Sequence, residues 1–208
     1  SIRAADGGVS DAQMYAGVAY LDGISVDKNY EQAAKYFRKA ANQGNSEARN
    51  SLGYLFQEGL GVEKNESKAF KLYKNAADAG SVNAMYQTGA CYEAGMGTNV
   101  NRTRAAEYYK KAAENGDSYA MDRLGVLYYS SSKDLPQDPK ESFEWFLKAA
   151  LAGMAESMYC LGCYYLDGFG TEKSEEEGMK WLNLAADGGS YSAMQLIDKL
   201  KDTPVDTP

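Results

Sequence analysis

Apolar and small residues recur along this chain at helical spacing, in blocks separated by glycine and polar residues. From Ala48 onward they fall at i, i+4, i+5 and i+8, which places them on one face of an α-helix. Gly59 and Gly61 follow, and glycine is typical of the position just past a helix C-terminus. Asn65 then stands as the N-cap of a second helix over residues 66–79. The pattern predicts a helical hairpin.

This hairpin pattern occurs five times, and its first helix occurs a sixth time. The small residue that opens each unit advances by 36, 36, 36, 37 and 36 residues. These repeat residues are Ala12, Ala48, Ala84, Ala120, Ser157 and Ala193. The N-cap position recurs in the same register as Asn29, Asn65, Asn101, Asp138 and Ser174. So constant a period indicates an α-solenoid, in which each unit packs on its neighbours.

Each second helix carries a pair of bulky residues at a fixed place in the repeat. The pairs are Tyr36-Phe37, Leu72-Tyr73, Tyr108-Tyr109, Trp145-Phe146 and Trp181-Leu182. These large side chains alternate with the alanine pairs that follow them. We therefore expect helices that approach closely and interlock.

A leucine–glycine pair in the first helix and two loop glycines complete the repeat. The pair lies at 52–53, 124–125 and 161–162, and the loop glycines lie at 59 and 61, 95 and 97, and 168 and 170. Over nearly the whole chain this pattern resembles the Sel1-like repeat family, which is related to the tetratricopeptide repeats. The resemblance implies an all-α fold, a right-handed α/α superhelix of five hairpins plus a C-terminal capping helix.

Two repeats depart from the family pattern in the loop between their helices. In repeat one, Ser25 replaces the second loop glycine. In repeat four, Ser131 and Lys133 replace both glycines, and the loop is one residue longer. We expect this second loop to have a shape of its own.

The ends of the chain suggest domain boundaries. Residues 1–8 repeat the sequence that ends a second helix, so we interpret them as the remnant of a preceding repeat. The solenoid then occupies 9–202, and 203–208 form a tail. The lone helix 193–201 is expected to cap repeat five with its apolar side. That side consists of Met194, Leu196, Ile197 and Leu200.

Candidate binding residues come from the first helices, which line the concave groove in tetratricopeptide-like solenoids. Five groove-facing positions per repeat give 25 residues, of which eight are acidic, five are tyrosine and none is lysine or arginine. A helix face that is polar only for solubility would carry both acidic and basic residues, so this composition favours a binding groove. The residues selected as partner-binding are Asn50, Tyr54, Tyr86, Glu93, Tyr119, Asp122, Tyr129, Glu156 and Tyr159. The other groove-facing positions are Asp11, Met14, Val18, Leu21, Asp22, Glu47, Gln57, Glu58, Asn83, Ala90, Ala94, Val126, Ser130, Cys163, Leu166 and Asp167.

Composition narrows the classes of function. The net charge of −7 argues against nucleic acid as the main partner. The chain has no histidine, which removes histidine triads, histidine bases and histidine metal ligands. No segment approaches the ~20 apolar residues of a membrane span. We expect no cofactor and no metal.

Three short motifs resemble functional sites but have simpler structural explanations. Cys160 and Cys163 form a CxxC, but they occupy ordinary repeat positions, so we interpret them as packing residues and free thiols. Asn65 and Asn101 begin glycosylation sequons, and helix capping accounts for both. Ser-x-x-Lys matches begin at Ser25 and Ser130 in inter-helix loops, without the partner motifs of a β-lactam-reactive site.

The function predicted from these observations is a non-catalytic adaptor. Its groove would bind a protein or peptide that offers basic and apolar anchors, with no nucleic acid partner. One alternative is an enzyme of the β-lactam-binding or hydrolysing type linked to some bacterial family members. The other is a self-assembly module. The cytoplasm is the favoured location, and the secretory-pathway lumen is the alternative.

Overall fold

A computed structural model of the chain describes residues 5–202. Eleven helices lie wholly within that range, and the range contains no strand. The helices are α1 Ser10–Asp22, α2 Tyr30–Asn42, α3 Ser46–Glu58, α4 Glu66–Asp78, α5 Val82–Ala94, α6 Arg102–Glu114, α7 Ser118–Tyr129, α8 Pro139–Leu151, α9 Ala155–Asp167, α10 Glu175–Asp187 and α11 Tyr191–Asp202. Helices α1 to α10 form five successive hairpins, and α11 follows them. The predicted architecture of five hairpins and one further helix is confirmed.

The start of each second helix is set by a side-chain cap. The five predicted cap residues each accept a hydrogen bond from the backbone N–H three residues later, at 2.8–3.2 Å. They are Asn29, Asn65, Asn101, Asp138 and Ser174. A cap of this kind stabilises a helix by about 1 kcal/mol, because it satisfies an N–H group that has no partner within the helix.

The two helices of each hairpin approach closely at the glycine of the first helix. A Cβ atom added to Gly53 would lie 2.8 Å from Tyr73 Cε1, and one added to Gly125 would lie 2.7 Å from Phe146 Cδ1. The ring therefore occupies the space that any other residue's side chain would need. In all five hairpins the first helix has this glycine, and the second helix has a bulky residue opposite it, a pairing that was not predicted from the sequence.

Each buried tyrosine of a second helix that faces such a glycine has an acceptor on the first helix. Tyr73 Oη donates to Gln57 Oε1 at 3.0 Å, and Tyr109 Oη donates to Glu93 Oε2 at 2.8 Å. In repeat four, where Phe146 has no hydroxyl, the position equivalent to Gln57 is Tyr129. The pairing follows from the cost of burying a hydroxyl without a partner.

The chain forms two compact units, Ser1–Ala112 and Ala113–Pro208, and each is described by itself. The core of the first unit contains Phe37, Leu52 and Leu55 among buried alanines. The core of the second unit includes Phe146, Leu161, Tyr164 and Leu182. Within both units, alanines let the helices approach while large side chains fill the space between them.

The two unusual loops differ in how they depart from the family pattern. Ser25 adopts a left-handed φ of 62°, so it keeps the glycine-like conformation despite its side chain. In repeat four, Ser130 is extended (φ −88°, ψ 133°) where the other first helices end in a left-handed glycine. Leu135 then turns inward and is buried, and its N–H donates to Ser132 Oγ. The predicted distinct shape of this loop is confirmed.

Residues 5–8 have the geometry found at the end of a second helix. Gly8 has φ 92°, the same value as Gly80 at the end of α4. Tyr36 Oη donates to Asp6 Oδ1 at 2.8 Å. Two repeats later, Tyr108 Oη donates to Asp78 Oδ1 in the same way, at 3.4 Å. The predicted tail, 203–208, lies outside the described residues.

Helix α11 contacts repeat five through fewer side chains than the sequence suggested. Ile197 is buried with Ala193 against Leu182, and Leu196 is half-buried there. Met194 is 42% exposed and Leu200 is 39% exposed, so the prediction that these two cover repeat five was wrong. The apolar stripe of α11 is wider than the surface available beneath it.

Candidate functional site

Side-chain hydrogen bonds join neighbouring first helices within each unit. In the first unit, Asn83 Nδ2 donates to Glu47 Oε2 at 3.2 Å, and the two residues are one repeat apart. In the second unit, Ser157 Oγ donates to Asp122 Oδ1 at 2.6 Å. Each bond joins neighbouring first helices on the surface that carries the predicted groove-facing positions; Glu47, Asn83 and Asp122 are such positions, whereas Ser157 is the small residue that opens repeat five.

The second unit has a concave site on this surface, which we call the aromatic cavity. It has a volume of about 460 Å³ and lies between α7, α8, α9 and the loop after α9. Its lining residues are Val126, Tyr129, Gln137, Phe146, Tyr159, Cys160, Cys163, Tyr164, Asp167, Gly168 and Phe169. Most of this lining is apolar, with few polar groups, as is usual for sites that bind small molecules or anchor side chains.

Three rings in mutual contact form one wall of the aromatic cavity. The ring centroids of Tyr164 and Phe169 are 5.0 Å apart, and those of Tyr129 and Phe169 are 5.5 Å apart, both in edge-to-face arrangements. The Ser142 hydroxyl donates to Gly125 O at 2.6 Å, so the Tyr164 hydroxyl is the donor in its 2.7 Å bond to Ser142 Oγ. These bonds hold the wall in place.

A second concave site, the aliphatic cavity, adjoins the aromatic cavity. Its volume is about 610 Å³, and it lies between α9, α10 and α11. Its lining residues are Tyr159, Cys163, Leu166, Asp167, Lys173, Glu175, Met179, Leu196 and Leu200. Tyr159, Cys163 and Asp167 line both cavities, so the two form one groove along α9.

Burial keeps the Cys160 and Cys163 thiols of the groove protonated at neutral pH. Burial raises the pKa of Cys160 to about 12 and raises the pKa of Cys163 above its usual range. Tyr159 has its pKa raised to about 12, chiefly by a hydrogen bond with Cys163 and then by burial. A thiol in this state is a poor nucleophile and a poor metal ligand. The three cysteines of the chain, Cys91 included, form no disulfide.

Five matches to the Sel1 repeat cover most of the chain. They span residues 10–45, 46–81, 82–117, 118–154 and 155–190. The chain belongs to the Sel1 repeat family.

Solved structures of Sel1 repeat proteins share this fold. One is c5321, a protective antigen present in uropathogenic Escherichia coli strains and displaying an SLR fold, which is 27% identical over 99% of this chain with a TM-score of 0.90. Another is a Sel1 repeat protein from Oxalobacter formigenes, 30% identical over 95% of this chain with a TM-score of 0.82. The fold class predicted from the sequence, an all-α solenoid of helical hairpins, is thus confirmed.

A curated relative matches a shorter part of this Sel1 repeat chain. It is the chitin synthase regulator SKT5 of Saccharomyces cerevisiae, 35% identical over 65 residues, which is 31% of this chain. This chain spans only 9% of the yeast protein's length, 44% of the E. coli protein and 57% of the O. formigenes protein.

The structure brings together two of the nine selected residues, Tyr129 and Tyr159, which both line the aromatic cavity. Tyr119 is 64% exposed and lines neither cavity of the groove, and Glu156 is also exposed outside both linings. Asp122 is half-buried and accepts the hydrogen bond from Ser157.

The four selected residues of the first unit have more varied surroundings. Tyr86 packs against Tyr109, with ring centroids 5.4 Å apart, and Glu93 accepts from the hydroxyl of that same tyrosine. Tyr54 is exposed. Asn50 is half-buried, and its Oδ1 atom is buried without a hydrogen-bond partner. The position equivalent to Ser157 is Ala84 here, which offers no hydroxyl donor.

Sequence reasoning missed several residues of the groove. Tyr164 and Phe169 form the aromatic wall, and Cys160 lines the same cavity rather than only packing. A signal for Phe169 was present, because the residue between the two loop glycines is also apolar at Leu60 and Met96. Within residues 5–202, no helix is long and apolar enough to cross a membrane, and no cluster of His, Cys, Asp and Glu could hold a metal ion.

Proposed function

We propose that this Sel1 repeat chain is a non-catalytic scaffold that binds an extended segment of a protein partner in the groove along α9. The observation that carries the proposal is the continuity of the two cavities, which share Tyr159, Cys163 and Asp167. An elongated groove with separate aromatic and aliphatic parts suits a peptide whose successive side chains occupy different sites.

The residues of the groove favour high-affinity contacts. Tyrosine supplies a large and rigid contact area at low cost in conformational entropy, and buried aromatic residues are frequent hot spots of binding. Tyr129 is 52% exposed, so an apolar ligand group would cover ring surface that is now in water. Burial of such surface stabilises a complex by roughly 25 cal/mol per Å².

Three observations support binding over catalysis. The groove thiols Cys160 and Cys163 are protonated at neutral pH, so neither is an activated nucleophile. The name of the yeast relative describes a regulator of an enzyme. A β-lactam-hydrolysing site would need an activated serine, and Ser130 and Lys133 lie in the irregular loop between α7 and α8, outside both cavity linings.

A selection from a random peptide library displayed on phage tests this proposal. The wild-type chain is the target, and the double variant Tyr129→Ala/Tyr159→Ala is the comparison. A matched control, Tyr15→Ala/Tyr191→Ala, removes two exposed tyrosines that lie outside both linings.

We expect peptides enriched on the wild type to bind the control equally and the groove variant at least about tenfold more weakly, since hot spots contribute more than ~1 kcal/mol each. Enriched peptides that bind the groove variant as well as the wild type would contradict the proposal, as would a failure to enrich any peptide. Circular dichroism of all three proteins checks that each remains folded.

A further inference from the structure

The aromatic cavity has one charged lining residue, Asp167, among the residues that the structure describes. No lysine or arginine lines it, although the chain has 22 of these residues. Two more carboxylates, Asp122 and Glu156, act electrostatically on Cys160 in the same lining, and Asp167 acts on Cys163. Asp167 in the lining, with Asp122 and Glu156 nearby, thus gives this apolar cavity a negative character that no lysine or arginine among its described lining residues offsets.

The lining also supplies flat ring surface and a neutral acceptor. Tyr129 and Phe169 both line the cavity with their rings in contact, and Tyr129 is half exposed. Gln137 Nε2 donates to Tyr129 O at 2.6 Å, which orients the amide and leaves its Oε1 atom to accept a hydrogen bond. A cation held near aromatic faces gains electrostatic attraction to the rings as well as to the carboxylate.

We propose that the aromatic cavity binds an arginine side chain of the partner segment, and this rests on the proposed function of the groove. The guanidinium stacks on the Tyr129 ring and donates to the Asp167 carboxylate and to Gln137 Oε1, while the aliphatic stem of the arginine contacts Phe169. An apolar side chain of the same segment occupies the adjoining aliphatic cavity, where Met179 and Leu196 lie.

Arginine fits this cavity better than lysine for two physical reasons. The guanidinium is planar and weakly hydrated, so it stacks on a ring at a lower desolvation cost than an ammonium group. It also has five N–H donors in a fixed fork, which is enough for a carboxylate and an amide oxygen at once. A lysine ammonium has three donors but no planar face to stack on the Tyr129 ring, and its stronger hydration makes its transfer into the cavity more costly.

Blocked five-residue peptides of fixed sequence, Ala-Leu-Arg-Leu-Ala and its citrulline counterpart, test the proposal. Citrulline has nearly the shape of arginine but carries no charge. Each peptide is titrated into the full chain to millimolar concentration, and binding is followed by the amide resonances of the protein. The variants are Asp167→Asn and, as a matched control, Asp22→Asn, which changes the equivalent exposed position of repeat one.

We expect the arginine peptide to shift resonances around Tyr129, Gly168 and Phe169, and the citrulline peptide to bind about fivefold more weakly. Asp167→Asn should remove most of that difference, and Asp22→Asn should leave it unchanged. Equal binding of the two peptides at these resonances would overturn the arginine proposal while leaving peptide binding in place. Shifts elsewhere, or none with either peptide, would overturn the arginine proposal. If the library selection also fails, the proposed function fails with it.

Discussion

Substitution of Gly97 by alanine tests how one repeat packs on the next. Gly97 lies in the loop after α5, with φ 66°, and packs on the first residues of α4. A Cβ atom there would lie 2.5 Å from the carbonyl carbon of Glu66, still closer to its oxygen, and 2.8 Å from Ser67 N. Because these atoms belong to the backbone, no side-chain rotation relieves the clash, and the loop must move away from α4.

The expected cost has two parts. An alanine at positive φ is strained by roughly 1–2 kcal/mol. Moving the loop off the helix adds about 1–3 kcal/mol, the usual cost of overpacking. The matched control is Gly80→Ala, because Gly80 has φ 92° and no neighbouring atom within 4 Å, so only the backbone strain applies.

Thermal unfolding followed by far-UV circular dichroism compares these two variants with the wild type. We expect Gly97→Ala to lower Tm by roughly 4–8 °C more than Gly80→Ala does, for an extra cost near 2 kcal/mol in a chain of this size. Equal Tm values for the two variants would refute the claim that contact between repeats, rather than loop conformation alone, requires glycine here.

Three further predictions concern the second unit. Ser157→Ala should lower the free energy of unfolding in urea by about 1–3 kcal/mol, because the half-buried Asp122 loses its donor, and an unchanged value would contradict this. Stability should be full below about pH 8.5 and fall as the pH rises toward 12, because burial raises the pKa of Cys160 and Tyr164 above their unfolded values of about 8.5 and 10. The urea midpoint should thus be lower at about pH 10.5 than at about pH 7, and Cys160→Ala should reduce that difference. Iodoacetamide should label Cys163 more slowly than a free cysteine peptide at neutral pH, since its raised pKa leaves little thiolate, and labelling at the peptide's rate would contradict this.

The fold was predictable because short sequence motifs in each repeat determine where its helices begin, end and pack. Asn65 caps α4 as its position before the helix implied, and the alanine pair Ala76-Ala77 is buried beside the large Tyr73, as their alternation implied. These motifs act between residues close in sequence or at a fixed repeat spacing. The cover formed by α11 was less predictable, because helical periodicity shows which side chains share a face but not how wide the surface opposite is. Met194 and Leu200 are on the apolar side of α11 yet remain partly in water.

The candidate site was only partly predictable for a related reason. Tyr129 and Tyr159 were identified from their groove-facing positions, and both line the aromatic cavity. Glu93 occupies the same kind of position, but its carboxylate accepts a hydrogen bond from the Tyr109 hydroxyl. This contact depends on the residue that the second helix places opposite, so the sequence of the first helix alone does not predict it. Phe169 lies in the loop after α9, outside any helix, so helical periodicity does not predict which way its side chain faces.

The central claim is that the groove along α9 binds a partner segment, and one comparison of dissociation constants tests it most directly. A fluorescent peptide from the library selection is titrated with the wild type, with Tyr159→Ala and with Tyr15→Ala. Tyr159 lines both cavities, whereas Tyr15 is an exposed tyrosine of the first unit. We expect Tyr159→Ala to raise Kd by more than about fivefold and Tyr15→Ala to leave it unchanged. Equal Kd values for Tyr159→Ala and the wild type would contradict the account.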